Sequence, residues 1–218
     1  MTAEVPTARA PAAPNRWPAI AGLAFVVFFV AGVVTSAPDV PESDADLEKW
    51  VDWVTDSAHG TLALISALLL VIAAVLFVVF VVGVVQQIRS ARGTESISAG
   101  VVLGLGILAA AAIVAAAIAI NTGPVQYLFD DQLADPTDIQ VFVQMQSLGY
   151  GLLLVGMALP VAALIAITGA SLRNVMPRWF TIVSYIAAII VLAAVIFIPL
   201  IAFPLWMIVA SIVMLRRA

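Results

Sequence analysis

Five long stretches of this chain contain no Asp, Glu, Lys or Arg, and this feature limits the possible folds more than any other. The stretches cover residues 17–38, 57–88, 96–129, 139–172 and 179–215. A charged side chain is costly at the centre of a bilayer, so uncharged apolar stretches of about 20 residues or more indicate membrane-spanning helices. Because 64% of the residues are hydrophobic and only 10% are charged, the chain leaves no room for a separate water-soluble domain.

The first four stretches predict one spanning helix each, and the fifth predicts two. A single helix over residues 179–215 would be ~55 Å long, well beyond the ~30 Å hydrocarbon core. Pro199 and Pro204 supply a break, because proline interrupts helical hydrogen bonding. The predicted fold class is therefore an all-α, polytopic transmembrane bundle of six helices, at residues 17–35, 60–86, 97–120, 148–171, 179–198 and 203–215.

The charge distribution predicts the orientation of this bundle. With six spans and both termini in the cytoplasm, eight of the nine basic residues lie inside and only Lys49 lies outside. Of the 13 acidic residues, all but Glu4 and Glu95 fall in the two outer loops. Basic residues concentrate in short cytoplasmic loops, so this partition predicts cytoplasmic N and C termini in a multi-pass protein of the plasma membrane. A five-span chain would instead place Arg216 and Arg217 outside.

The chain divides into a tail and one membrane domain. Residues 1–16, rich in Ala and Pro, are predicted to be a disordered cytoplasmic tail, and residues 17–217 a single six-span membrane domain. The alternative is a secretory signal peptide over residues 1–37, although its apolar region exceeds the usual 7–15 residues or so. Trp17 and Trp179 each follow an arginine at the start of a span, as interfacial anchors do.

Both acidic outer loops carry helix signals. Residues 44–56 predict a short amphipathic helix that lies on the outer membrane surface or covers the mouth of the bundle. Ser43 and Asp46 are its expected capping residues, and its apolar face is formed by Leu47, Trp50, Val51 and Val54. In the second loop, Asn121-Thr122-Gly123-Pro124 predict a turn, and Pro136-Thr137-Asp138 predict the start of a helix that runs into the fourth span.

Small residues and one proline predict how the spans pack. Close helix contacts are expected at Gly100 and Gly104, and along the fourth span at a spacing of seven, at Gly149, Gly156, Ala163 and Ala170. Pro160 is expected to kink the fourth span and free a carbonyl near Gly156. Such a kink shapes either the packing or a cavity.

One group of polar residues predicts a shallow outward-facing pocket between the second and fourth spans. Its members are His59, Asn121, Gln146 and Tyr150. Because an unpartnered hydroxyl in an apolar medium costs ~1–3 kcal/mol, we expect Tyr150 to turn inward to His59 or Ser147. The alternative is that Tyr150 reaches the lipid headgroups, as interfacial tyrosines do.

The sequence points away from an enzyme. It holds no nucleophile with a base and no metal-binding motif, and its single histidine and zero cysteines make haem, zinc or thiol chemistry unexpected. No cofactor is predicted. The expected partners are membrane lipids and other membrane proteins, with no nucleic acid.

Three short motifs carry a family resemblance. They are Trp50-Val51-x-Trp53 before His59-Gly60, Met176-Pro177-Arg178-Trp179, and Phe203-Pro204-Leu205-Trp206 with the ending Leu215-Arg216-Arg217. In their order they resemble a broad group of uncharacterised six-helix integral membrane proteins common in actinobacteria, classed as a domain of unknown function. The resemblance implies a six-span bundle in the plasma membrane, and no activity.

Two functions are consistent with these features. The first is a non-enzymatic accessory or stress-associated membrane component. The second is a small permease or export factor for a neutral or apolar solute. A cavity of several hundred Å³ beside Gln146 and Tyr150 would favour the second, and a fully packed bundle the first.

Overall fold

The described part of the chain is all-helical. The computed structural model describes residues 16–36, 40–41, 45–130, 136–193 and 201–217. Its helices are α1 (Trp17–Thr35), α2 (Leu47–Thr55), α3 (Ser57–Arg92), α4 (Ile97–Phe129), α5 (Pro136–Gly151), α6 (Met157–Ser171), α7 (Arg178–Leu192) and α8 (Ala202–Leu215), and a π-helical turn, Leu152–Gly156, joins α5 to α6. The tail prediction for residues 1–16 concerns residues that, except for Arg16, lie outside the described ranges.

Within these ranges, four helices are long and apolar enough to cross a membrane. They are Trp17–Thr35, Ser57–Arg92, Ile97–Phe129 and Asp138–Ser171. The last confirms that the helix starting near Pro136 runs straight into the fourth span. The apolar helices α7 and α8 have only 15 and 14 residues. Pro199 lies outside the described ranges. Pro204 lies in the first turn of α8, where backbone N–H groups have no partner within the helix, so this proline costs the helix no hydrogen bond.

Contacts between the helices define two ends of the bundle. At one end, Gly83 of α3 faces Pro18 at the start of α1 and Met214 near the end of α8. Arg92 at the end of α3 donates hydrogen bonds to the carbonyls of Ala170 and Ser171, at 2.8 and 2.9 Å. This basic end carries Arg16, Arg89, Arg92, Arg173, Arg178, Arg216 and Arg217.

The opposite end carries all the described acidic residues except Glu95. There, the start of α3 meets the end of α4, where a Cβ on Gly60 would lie 2.9 Å from the Pro124 carbonyl oxygen. Gly123 faces Phe142 of α5 in the same region. This acidic end carries Asp46, Glu48, Lys49, Asp52, Asp56, Asp130 and Asp138. The fold therefore separates basic from acidic residues along the length of the bundle.

Aromatic side chains fill the centre between α1, α3 and α8. The rings of Phe25, Phe77 and Phe203 lie 5.3–5.5 Å apart, and all three are fully buried. Because α1 contributes to this core, it is an integral part of the bundle rather than a separate N-terminal segment. Trp17 and Trp179 remain 73% and 49% exposed at the basic end, where interfacial anchors were expected.

The predicted turn at Asn121-Thr122-Gly123-Pro124 is wrong, because α4 continues through it to Phe129. Pro124 removes only one backbone hydrogen bond from the helix. Two neighbouring side chains add hydrogen bonds within it: Asn121 donates to the Ala117 carbonyl at 2.8 Å, and Thr122 donates to the Ile118 carbonyl at 2.6 Å. The turn signals are therefore outweighed by local hydrogen bonding and by burial of this segment.

The predicted close contacts at Gly100 and Gly104 are also wrong. A Cβ at either position would meet no other atom within 4 Å, because both lie on the exposed face of α4. Gly106, on the opposite face, packs against Val81 instead. Helical periodicity alone could not say which small-residue face points inward.

The prediction of close contacts at every seventh residue of the fourth span is wrong for a different reason. Gly149 makes a close contact, but Gly156 meets only Leu152 of its own helix. The π-helical turn inserts one extra residue, so the buried positions that follow shift by one, to Met157 and Leu164. The turn ends at Gly156, the position where Pro160 was expected to disturb the helix.

Candidate functional site

Helix α2 covers the acidic end of the bundle. It packs against α3, α4 and α5, and it buries Trp50, Trp53 and Val54 against Ile139 of α5. The helix was predicted to lie either on the outer membrane surface or over the mouth of the bundle, and this contact supports the second position. Leu47 was expected on the buried face but is 38% exposed.

The expected capping of α2 is different in the structure. Ser43 lies outside the described residues. Asp46 stands immediately before the helix, but its side chain makes no capping hydrogen bond. Asp56 between α2 and α3 does cap, since its carboxylate accepts a 2.8 Å hydrogen bond from the Ala58 backbone N–H.

His59 connects α3 to this cover. Its Nδ1 lies 3.0 Å from the Trp53 carbonyl oxygen and 3.8 Å from a carboxylate oxygen of Asp56. Because a carbonyl only accepts, Nδ1 carries the proton in this contact. The imidazole also stacks on the Trp53 indole, with ring centroids 5.3 Å apart. His59 therefore holds the cover in place.

Asn121 and Gln146 lie deeper, in the interface between α4 and α5. They are only 2% and 6% exposed. Each leaves one buried amide atom without a hydrogen-bond partner, Oδ1 of Asn121 and Nε2 of Gln146. Gly149, about one turn after Gln146, contacts Ile120, the residue directly before Asn121, so the two amides lie at a similar depth. One acceptor and one donor are therefore buried without a hydrogen-bond partner in this region.

Tyr150 has a partner that the sequence did not predict. Its hydroxyl lies beside the side chain of Ser36, just after α1. The Ser36 hydroxyl also donates to the Val33 carbonyl at 2.8 Å. Both expected partners are engaged elsewhere, His59 with Trp53 and Ser147 with the Val143 carbonyl at 2.9 Å. The inward orientation was expected, but both named partners are wrong.

A second hydrogen bond connects the same region of α1 to α3. Ser66, fully buried, donates to the Gly32 carbonyl at 2.9 Å. Together with the Tyr150–Ser36 pair, this bond fixes the end of α1 against its neighbours. The sequence did not mark Ser36 as functional, because a serine at the end of a span is common. For Trp53, the only sequence signals of a role at this site were its large aromatic side chain and its position three residues after Trp50.

The structure brings the four predicted residues toward one end of the bundle, and one groove there can be described. A groove of about 300 Å³ borders Asn121, and its other lining residues are Ala67, Ala117, Ile118, Thr122, Val125, Gln126 and Phe129. His59, Gln146 and Tyr150 do not line it. The groove is open and almost entirely apolar, which suits a lipid chain better than a polar ligand.

The acidic end offers several kinds of polar group among its described residues. No three His, Asp or Glu side chains among the described residues are close enough to hold a metal ion. These polar groups are carboxylates, amides, hydroxyls and one imidazole bound to a backbone carbonyl. No family model, curated protein or solved structure matches the chain.

The Tyr150–Ser36 bond can be tested by a double-mutant cycle. Tyr150→Phe should lower the free energy of unfolding by about 1 kcal/mol, and Ser36→Ala should lower it further, because Ser36→Ala also removes the hydrogen bond to the Val33 carbonyl. The double variant should cost little more than Ser36→Ala alone. Thermal unfolding in mild detergent provides the measurement, and additive losses would show that the two hydroxyls act independently.

Proposed function

We propose that this chain is a non-enzymatic accessory or stress-associated component of the plasma membrane, whose partners are lipids and other membrane proteins. The observation that carries this proposal is a packed, uncharged interior closed at one end by α2. Buried glycines face side chains of neighbouring helices at Gly22, Gly83, Gly106 and Gly149. The stretches 57–88, 96–129 and 139–172 contain no Asp, Glu, Lys or Arg, the residues that ion-coupled transport most often places within spans.

The same proposal includes six spans with both termini in the cytoplasm. Its support is the position of α8, which packs antiparallel to α1: Phe203 meets Phe25, and Met214 lies beside Gly83 together with Pro18. Arg16 and Arg217 therefore stand at the same end as the other arginines. The positive-inside tendency assigns that end to the cytoplasm.

Cysteine labelling tests this topology, because the native chain contains no cysteine. Single cysteines at Glu48 and Asp130, both exposed at the acidic end, should react with an impermeant maleimide on intact cells. Cysteines at Ser90 and Asn174, exposed at the basic end, should react only after the membrane is permeabilised. Labelling of Ser90 on intact cells would invert or refute the model.

One observation favours a second candidate, a small permease or export factor for a neutral solute. The unpartnered amide atoms of Asn121 and Gln146 could hold a water molecule or a hydroxyl or amide group of a solute. Tyr150→Phe distinguishes the two functions. A loss of transport larger than the loss of stability would favour the permease, and parallel losses would favour a packing role.

Membership of the six-helix actinobacterial group remains part of the proposal. Two of the three motifs that carry the resemblance have structural uses. Trp50 and Trp53 attach α2, and Phe203 and Trp206 lie in the core. These uses explain why such motifs would persist in a bundle of this kind.

A further inference from the structure

A pocket of about 270 Å³ opens at the basic end, between the end of α3, the loop before α7 and the end of α8. It is lined by Gln87, Ser90, Ala91, Val175, Met176 and Arg217. Ligand pockets usually have volumes of about 300–1,000 Å³, so this pocket suits a small group rather than a whole lipid.

The lining combines hydrogen-bond donors with an apolar wall. Arg217 supplies a guanidinium and Gln87 an amide, while Val175 and Met176 supply the apolar side. The Ser90 hydroxyl donates to the Gln86 carbonyl at 2.9 Å and can rotate toward a ligand. A guanidinium with neighbouring neutral donors is the arrangement that binds phosphate oxygens.

The positive charge at this end is not neutralised within the described residues. The one ion pair found among them joins His59 to Asp56 at the opposite end. Arg92 is engaged by the carbonyls that end α6, whereas no described hydrogen bond or ion pair occupies the Arg217 guanidinium. The pocket is therefore electropositive and has a free guanidinium at its edge.

We propose that this pocket binds the phosphate of an anionic phospholipid headgroup. The inference rests on the membrane placement proposed above. Trp17 and Trp179, exposed at the same end, mark the level at which headgroups lie. The apolar wall then faces the glycerol and the first acyl carbons, which inorganic phosphate lacks. Basic pockets between spanning helices on the cytoplasmic side are known sites for such headgroups.

The test uses the full chain in mild detergent, titrated with phosphatidylglycerol or phosphatidylcholine and followed by native mass spectrometry. Phosphatidylglycerol should bind at least about tenfold more tightly, because only it brings an uncompensated negative charge. Arg217→Gln should remove most of this difference. The matched control, Arg173→Gln, makes the same charge change at the same end outside the pocket and should alter affinity less than about twofold.

Four results would overturn the proposal. Equal losses of phosphatidylglycerol affinity in Arg217→Gln and Arg173→Gln would show that diffuse surface charge, not the pocket, attracts the lipid. Inorganic phosphate that binds as tightly as the lipid would show that the pocket does not recognise a lipid. If Arg217→Gln fails to fold, Gln87→Leu removes a donor without changing charge, and unchanged lipid affinity in that variant would equally refute the pocket. Cysteine labelling does not depend on lipid binding, so a chain that labels as expected but does not distinguish the two lipids refutes the pocket alone.

Discussion

Gly149→Ala should lower the free energy of unfolding by about 1–3 kcal/mol, whereas Gly151→Ala should leave it unchanged or raise it slightly. A Cβ on Gly149 would lie 2.8 Å from the backbone nitrogen of Ile120. A backbone atom cannot rotate away as a side chain does, so α5 and α4 would have to separate. A Cβ on Gly151 would meet nothing within 4 Å.

The two variants form a matched pair, since they add the same methyl group to the same helix two residues apart. Thermal unfolding of the purified protein in one detergent provides the comparison. Equal stability of the two variants would mean that α4 and α5 do not approach as closely as the structure shows. A loss confined to Gly149→Ala would confirm that this contact sets the distance between them.

Trp206→Ala should have the largest effect of a single substitution, about 3–5 kcal/mol. Trp206 is 1% exposed and packs against Phe80 and Phe180, with ring centroids 6.2 and 6.4 Å away. Its indole N–H donates to the Ser184 hydroxyl at 3.0 Å. Removing the indole leaves a cavity between three helices and deletes that hydrogen bond.

Leu205→Ala is the control for this substitution. Leu205 precedes Trp206 on α8 but is 57% exposed, so its truncation removes surface that faces away from the core. Unfolding in a mixed-micelle titration with SDS should show a much smaller loss for Leu205→Ala. Similar losses would mean that Trp206 does not attach α8 to α3 and α7.

The helices were largely predictable, because the cost of charge in a bilayer leaves a strong mark in the sequence. Charge-free stretches located all four long helices, and α1 was predicted with the bounds it has. The ends were harder to predict. Helix α3 extends beyond the predicted Gln86 to Arg92, where the Arg92 side chain reaches the end of α6. A contact with a residue distant in sequence leaves no local signal.

For the candidate site, the sequence predicted the end of the bundle at which the residues lie but not which side chains contact one another. His59, Asn121, Gln146 and Tyr150 all lie toward the acidic end, as their places along the spans require. Which atom meets which depends on helix rotation, and the sequence of a nearly uniform apolar helix carries little information about rotation. The bond from Tyr150 to Ser36 and the contact of His59 with Trp53 therefore emerged only from the structure.

The π-helical turn at Leu152–Gly156 divides the fourth long helix into two separately phased halves. One extra residue rotates everything beyond it by ~100° relative to an uninterrupted α-helix. Losing a single residue in this turn would leave the composition nearly unchanged, yet it would move either Tyr150 away from Ser36 or Met157 out of the core. For this helix, the number of residues between α5 and α6 therefore matters as much as the identity of any side chain.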